Sequence, residues 1–339
     1  MYYRTYGSAR PRPRNAAEYI PHVTTATPLI IDTDPGIDDA MAIFYALAAP
    51  QFDVVGLTTV FGNCHTDVCT TNALRLLDVA GRTDIPVAHG ATGPLTGTYH
   101  GPADFVHGAN GLGDIDVQPS VRAAIATSAP QFIIDTVMAN PGEVTVLLLG
   151  PFTNMALAML IQPDLTSFVK EIVVMGGAAF THGNTTPAAE ANIHNDPEAA
   201  DIVFGADCPI TMVGLDVTHT VQMTRADLQR LGDMPGARPR FLHAIVQFYA
   251  DFYRDRYDLD GIFVHDSTTI TYMLAPHLFT WQELPVRVDT GHSVARGRTV
   301  AAYRDSDEEG PWKGRRPVRI LTGVDVRAAI ELELEHHGR

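Results

Sequence analysis

The sequence predicts an α/β fold: a doubly wound, mostly parallel sheet with helices on both faces, Rossmann-like in plan. Three observations carry that reading. Short runs such as LIIDTD (29–34) and VTVLLLG (144–150) are almost continuously apolar, as strands buried on both faces must be. Stretches of helical length and periodicity stand between them, so strand and helix alternate. The 339 residues, 45% apolar and 19% charged, suffice for a large core of ordinary composition.

Strand 29–34 feeds a helix over 38–49, and FDVVGLTTV (52–60) gives a second strand before a helix over 66–81. A short strand at 85–90, a helix at 130–140, a strand at 144–150 and a helix at 153–161 continue the pattern. Strand 171–177, helix 197–205 and strand 209–217 extend it. The last third departs from this rhythm. A helix over 236–258 carries Phe241, Phe248, Tyr249, Phe252, Tyr253 and Tyr257, and at helical spacing most of these rings read as core. LPVRVDT and PVRILTGVDV read as further strands, and VRAAIELELE as a closing helix. Residues 27–339 read as a single domain with no internal repeat, and polar residues 304–316 as an exposed loop. Residues 1–26, arginine-rich and without the apolar centre of a secretory signal, read as a flexible extension.

Composition excludes several function classes. With 24 basic and 39 acidic residues the net charge is −15, which argues against nucleic acid and against anionic membrane surfaces. No apolar run approaches the ~20 residues of a membrane span. Cys64, Cys69 and Cys208 are few and odd in number, as expected of free thiols in a reducing, cytoplasmic setting.

In open α/β sheets, ligands bind beyond the carboxyl ends of the strands. After the first strand come Asp34, Asp38 and Asp39; after the second, Asn63; after 144–150, Pro151 to Asn154; after 171–177, a polar loop with Asn184, Glu190, Asn192, His194 and Asp196. Acids and amides thus converge on one edge. A hard cation such as calcium takes roughly six to eight oxygen ligands, which such a set supplies. Carboxylates also favour a helix N-terminus, so one aspartate there would be no more than a cap. Asp32, Asp34, Asp38 and Asp39 together point to a metal. A strand ending in Asp-x-Asp also opens phosphohydrolases of the haloacid dehalogenase type. Those need a lysine near the phosphate, and the two lysines here, Lys170 and Lys313, follow no fitting loop.

Asp32-Thr33-Asp34-Pro35-Gly36-Ile37-Asp38-Asp39-Ala40 resembles the N-terminal signature of the inosine-uridine-preferring nucleoside hydrolases. The resemblance continues, in the family's order, through Thr58 to Asn63, Gly150 to Asn154, Val174 to Gly177, Asn184 to Asn192, Asp196 to Ala200, Gly214 to Thr218 and His265-Asp266. It implies hydrolysis of the N-glycosidic bond of a small-molecule ribonucleoside to ribose and free base, a role in purine or pyrimidine salvage, and a homodimer or homotetramer. It implies Ca2+ held by Asp34, Asp39, Asp266 and the main-chain carbonyl of Leu149, with Asp34 as general base on the attacking water. Asp38, Asn63, Asn184, Glu190, Asn192 and Asp266 would grip the ribose, with Met175 packed beside it.

The chemistry agrees with those roles. Cleavage at an anomeric carbon passes through an oxocarbenium-like state that a carboxylate-rich pocket stabilises. The departing base needs a proton, and His265, beside a ligand, is the candidate acid. His107, Tyr253 and Tyr257 are candidates for the base pocket. Two departures stand out: Ala191 where an aromatic is common in the family, and Ser267 where proline is usual. Both leave ribose and calcium binding in place and leave base preference open. A ribosyltransferase on the same fold, or a calcium-dependent nucleoside-binding protein without turnover, are the alternative readings.

Overall fold

The structure, a computed structural model, describes residues 26–302 and 310–339. The extension expected over 1–26 and the first part of the loop expected over 304–316 therefore lie almost wholly outside the described residues. Strands β1 (Thr27–Thr33), β2 (Phe52–Thr59), β3 (Val87–His89), β4 (Thr145–Leu148), β5 (Glu171–Met175) and β6 (Ile210–Val213) lie parallel in the main sheet. Short strands β7 (Gln222–Thr224) and β8 (Gly261–Phe263) pair with each other, as do β10 (Val286–Val288) and β11 (Thr299–Ala301). The main sheet is completed by β9 (Phe279–Leu284) and β12 (Val318–Val324), in the order β3-β2-β1-β4-β5-β6-β12-β9, with only β9 antiparallel.

Alternation along the strands makes two cores. Leu29, Ile31, Leu147, Val173 and Val213 face one side, under the helices Ile37–Ala48, Ala237–Tyr257 and Val326–His337. Ile30, Val146, Leu148, Val174 and Met212 face the other, under Ala129–Ala139, Thr153–Ile161 and Pro197–Val203. A strand covered on both faces must be apolar at every position, which is why β1 and β4 read as unbroken runs. Among the described residues no helix is long and apolar enough to cross a membrane.

Register decides what the sheet displays. Asp32 pairs with Thr58 on β2 and Leu148 on β4, and Val174 of β5 pairs with Leu148. The strands β1, β2, β4 and β5 therefore end level, and Asp34, the 60–63 turn, Leu149 and Met175 emerge together. This is the reversal point of the strand order, where crossover connections diverge and leave a crevice.

Candidate active site

Asp34 leaves the end of β1, and the chain turns through Pro35-Gly36 into the helix Ile37–Ala48. The turn is tight, so Asp38 and Asp39 in the first helical turn face Asp34. Asp39 Oδ2 accepts the Gly36 N–H at 3.0 Å and its Oδ1 accepts the Thr33 hydroxyl. The helix-cap reading and the ligand reading thus describe the same carboxylate. Asn63 closes the other side: its N–H donates to Asp34 Oδ2 at 2.7 Å and its Nδ2 to Asp39 Oδ2 at 2.9 Å. A Cβ at Gly62 would lie 1.9 Å from Asp34 Oδ2, and one at Gly150 would lie 2.5 Å from Asp34 Oδ1. Glycine at both positions is what gives the Asp34 carboxylate room.

β8 and the turn after it bring in His265 and Asp266, far away in sequence. One carboxylate oxygen each of Asp38, Asp39 and Asp266 lies within 4.8 Å of the others. Asp34 belongs to the same electrostatic group. Burial, then the charges of Asp39 and Asp38, hold its carboxyl well above the usual range. Burial, then Asp38, Asp39, Asp34 and Glu190, does the same to Asp266. Burial also lifts Asp38 to about 6. Asp32 is not part of the cluster: its Oδ1 accepts Thr58 Oγ1 at 2.6 Å and Asn154 Nδ2 at 2.7 Å. Its part is to tie β1 to β2 and to the helix Thr153–Ile161. Asp196 is likewise structural, accepting the Leu95 N–H at 2.8 Å, the Thr153 hydroxyl at 2.7 Å and the Ala199 N–H at 3.0 Å.

Asp34 Oδ1 and Asp38 Oδ1 are buried with no hydrogen-bond partner among the described residues, as is Oδ2 of Asp32 outside the cluster. Orphaned carboxylate oxygens in a mutually repelling, desolvated group are costly unless a cation faces them. An all-oxygen donor set fits a hard divalent ion. The Leu149 carbonyl accepts Asn192 Nδ2 at 2.6 Å, which leaves its second lone pair for a further partner.

Above this floor opens a cavity of about 280 Å³. Of the residues singled out in the sequence, Asp38, Asn63, His107, Leu149, Met175, Asn184, Glu190, Asn192, Tyr253, Tyr257, His265 and Asp266 all line it, with Asp34 and Asp39 beneath. Glu190 caps the helix Ala191–Asn195, accepting the N–H groups of Asn192 (2.9 Å) and Ile193 (3.2 Å) and, from across the loop, of Gly177 (3.0 Å). Asn184 Oδ1 accepts the Ala191 N–H at 3.0 Å. Asn192 Nδ2 reaches Met175 O at 3.1 Å as well as Leu149 O. The loop 184–192 is thus pinned to the ends of β4 and β5.

The opposite wall is aromatic. His107 Nδ1 accepts the Ile37 N–H at 3.2 Å, and its ring stacks on Tyr249 at 5.5 Å. Burial pushes this imidazole down to about 4, so it is neutral. Asp38, when ionised, can only accept, and this sets the direction of a buried chain. Tyr249 donates to Asp38 Oδ2 (3.1 Å) and Tyr253 donates to Tyr249 (3.0 Å). The Tyr253 oxygen then accepts from His265 Nε2 (3.0 Å), while His265 Nδ1 accepts from the Thr218 hydroxyl (2.8 Å). Burial, then the neighbouring His219 and His107, pushes His265 down to about 3. Both its ring nitrogens are engaged, so it can serve a leaving group only by exchanging its Tyr253 bond for one to the base.

Lining residues to which the sequence assigned no site role include Phe105, Tyr249, Phe252, Arg256 and His219. For Tyr249 a signal existed, since it stands one helical turn before Tyr253 and two before Tyr257. His219 carried none.

The sequence profile of the family described as "Inosine-uridine preferring nucleoside hydrolase" matches residues 29–331. The chain is 44% identical over 310 residues to "Probable uridine nucleosidase 2" of Arabidopsis thaliana, covering 91% of this chain and 96% of the relative. Its structure is similar to that of a plant nucleoside hydrolase, with a TM-score of 0.88, 42% identity, and coverage of 92% of this chain and 99% of the other. It is also similar to a purine-preferring ribonucleoside hydrolase from Gardnerella vaginalis, with a TM-score of 0.85, 33% identity, and coverage of 92% and 98%.

Proposed function

The chain belongs to the inosine-uridine preferring nucleoside hydrolase family and is a nucleoside hydrolase, and from that premise we propose that it cleaves ribonucleosides to ribose and free base with calcium as its metal. The observation that carries the calcium reading is the carboxylate floor, with Asp34 Oδ1 and Asp38 Oδ1 buried and unpartnered beneath the cavity. Asp34, Asp39, Asp266 and the Leu149 carbonyl would hold the ion. When bound, it supplies the positive charge that lets these carboxylates ionise together and polarises water and ribose hydroxyls.

The chain's own residues do the rest. Asp34 accepts the proton of the water that attacks C1′, a transfer worth roughly 10²–10⁴ in rate. The carboxylates of the floor stabilise the positive charge that grows on the sugar ring. Asp38, Asn63, Asn184, Glu190 and Asn192 orient the ribose through its hydroxyls, with Met175 packed beside it, which disfavours 2′-deoxy substrates. His265 is the candidate acid for the departing base. It must exchange its Tyr253 bond for one to the base and take up a proton to become an acid, since the neutral ring has only its Nε2–H. His107 and Tyr257 bound the base. We take residues 27–339 as one catalytic domain, assembled as a homodimer or homotetramer and acting in cytoplasmic nucleoside salvage.

The test is product analysis on uridine, inosine, cytidine and adenosine with calcium present. Free ribose and free base appearing one to one supports the reading. Base released without free ribose would mean transfer to another acceptor, and binding with no release would mean a protein that only grips the nucleoside.

A further inference from the structure

The cavity has a gradient of exposure from floor to mouth. Asp266, Glu190 and Met175 at the floor are buried, whereas Phe105 (71% exposed) and Tyr257 (45% exposed) form the rim. Arg256 lies on that rim, at the end of the helix Ala237–Tyr257 and beside Phe252 and Tyr257. Apart from histidines, it is the one basic side chain lining the cavity among the described residues. Its neighbours are committed elsewhere: Arg254 pairs with Asp251 and Asp255, and Arg225 with Asp260. Arg256 has no carboxylate partner among the described residues, although acids flank it on the same helix.

On the proposed reading, a nucleoside with its ribose on the carboxylate floor would point the far edge of its base at the mouth. In uracil and cytosine the atom opposite the glycosidic nitrogen is the C4 substituent, and in hypoxanthine and adenine the C6 substituent lies at the same far edge. In each pair the difference is an oxygen against an amino group. Guanidinium offers five N–H donors and accepts nothing. It pairs with a carbonyl oxygen and opposes an amino group, donor against donor.

Building on the ribonucleoside hydrolase reading, we propose that Arg256 is a specificity determinant that selects bases carrying an oxo group at the far edge over their amino counterparts. It acts on the bound base and leaves the ribose grip and the metal site untouched. Since it works at an exposed rim, its effect is a ratio between substrates and not a general loss of rate.

The experiment compares kcat/KM for uridine against cytidine and for inosine against adenosine, in the wild type, Arg256→Met and Arg256→Lys. The expected result is a wild-type preference for the oxo member of each pair, which falls about five- to tenfold in Arg256→Met. Arg256→Lys, a single-point donor in place of a fork, should fall between. Ratios unchanged in Arg256→Met would overturn the proposal. So would unchanged ratios with a selective loss on uridine 5′-monophosphate, which would assign the guanidinium to a phosphate. A wild type that hydrolyses none of the four nucleosides would instead break the hydrolase reading, and a normal circular dichroism spectrum separates either result from misfolding.

Discussion

The floor of the cavity and its mouth are built by opposite means. At the floor, Asp34, Asp38, Asp39 and Asp266 are buried and fixed by strand ends and helix starts, with glycines at 62 and 150 leaving room for Asp34. At the mouth, Phe105, Arg256 and Tyr257 are exposed side chains on a four-residue helix and on the last turn of a long one. The floor stores electrostatic cost that a cation or protonation relieves, and on the proposed reading a change there alters the chemistry. The mouth stores little, and on the proposed reading changes there alter which base is accepted. Reaction and selectivity would then rest on separate elements.

The largest effect that sharpens this contrast is expected from Asp34→Asn. It keeps the shape and removes the base, so kcat should fall about 10³–10⁴-fold. Removing one of several buried like charges also relieves repulsion, so the metal-free variant should melt no lower than the metal-free wild type. A modest loss of rate would remove Asp34 from the role of base, and a collapse of melting temperature would show it to be a structural anchor.

Gly62→Ala comes next. A Cβ there would lie 1.9 Å from Asp34 Oδ2, so the carboxylate must shift. Displacement of about an ångström at a reacting group costs on the order of 100-fold in rate. Full activity in this variant would mean that the floor is more pliant than its packing indicates.

Tyr249→Phe is the smallest and stands at the border of the two regions. It deletes the hydroxyl that donates to Asp38 at 3.1 Å and accepts from Tyr253 at 3.0 Å. The loss of one buried hydrogen bond to a charged group, about 1.5 kcal/mol, corresponds to roughly a tenfold decrease in kcat/KM. The decrease should be equal for uridine and cytidine, since the chain reaches the floor and not the far edge of the base. A change in their ratio would place Tyr249 with the mouth instead.

The same contrast explains what could be read in the sequence. Floor residues sit at strand ends, where register is dictated by the two cores, so LIIDTDPGIDD and VLLLG announced both the strands and the polar groups beyond their ends. The cap role of Asp39 could not be told apart from ligation because the carboxylate that caps the helix also stands in the acidic cluster. Residues 209–217 read as one strand, yet β6 ends at Val213 and Leu215–Thr218 is helical. There Asp216 turns its carboxylate to the N–H groups of Ala179 (2.9 Å) and Phe180 (2.6 Å), a tertiary contact that local pattern does not encode. β9 escaped notice because four of its six residues are exposed on an antiparallel edge, which leaves no apolar run. Asp32 enters the acidic motif beside Asp34, although only Asp34 is assigned as ligand and base. Their separation comes from the strand's end, with Asp32 still inside the ladder beside Thr58 and Asp34 beyond it. The mouth was the least legible part, since aromatics at helical spacing serve a core and a pocket wall alike, and Tyr249 does both.

The most direct test is calorimetric titration of ribose into the metal-stripped protein and into the same protein loaded with calcium. The account predicts one calcium site per chain, abolished or strongly weakened by Asp34→Asn, and ribose binding that appears only when calcium is present. Equal ribose binding with and without calcium, or no calcium bound at all, would contradict the claim that the carboxylate floor is a metal site that holds the sugar.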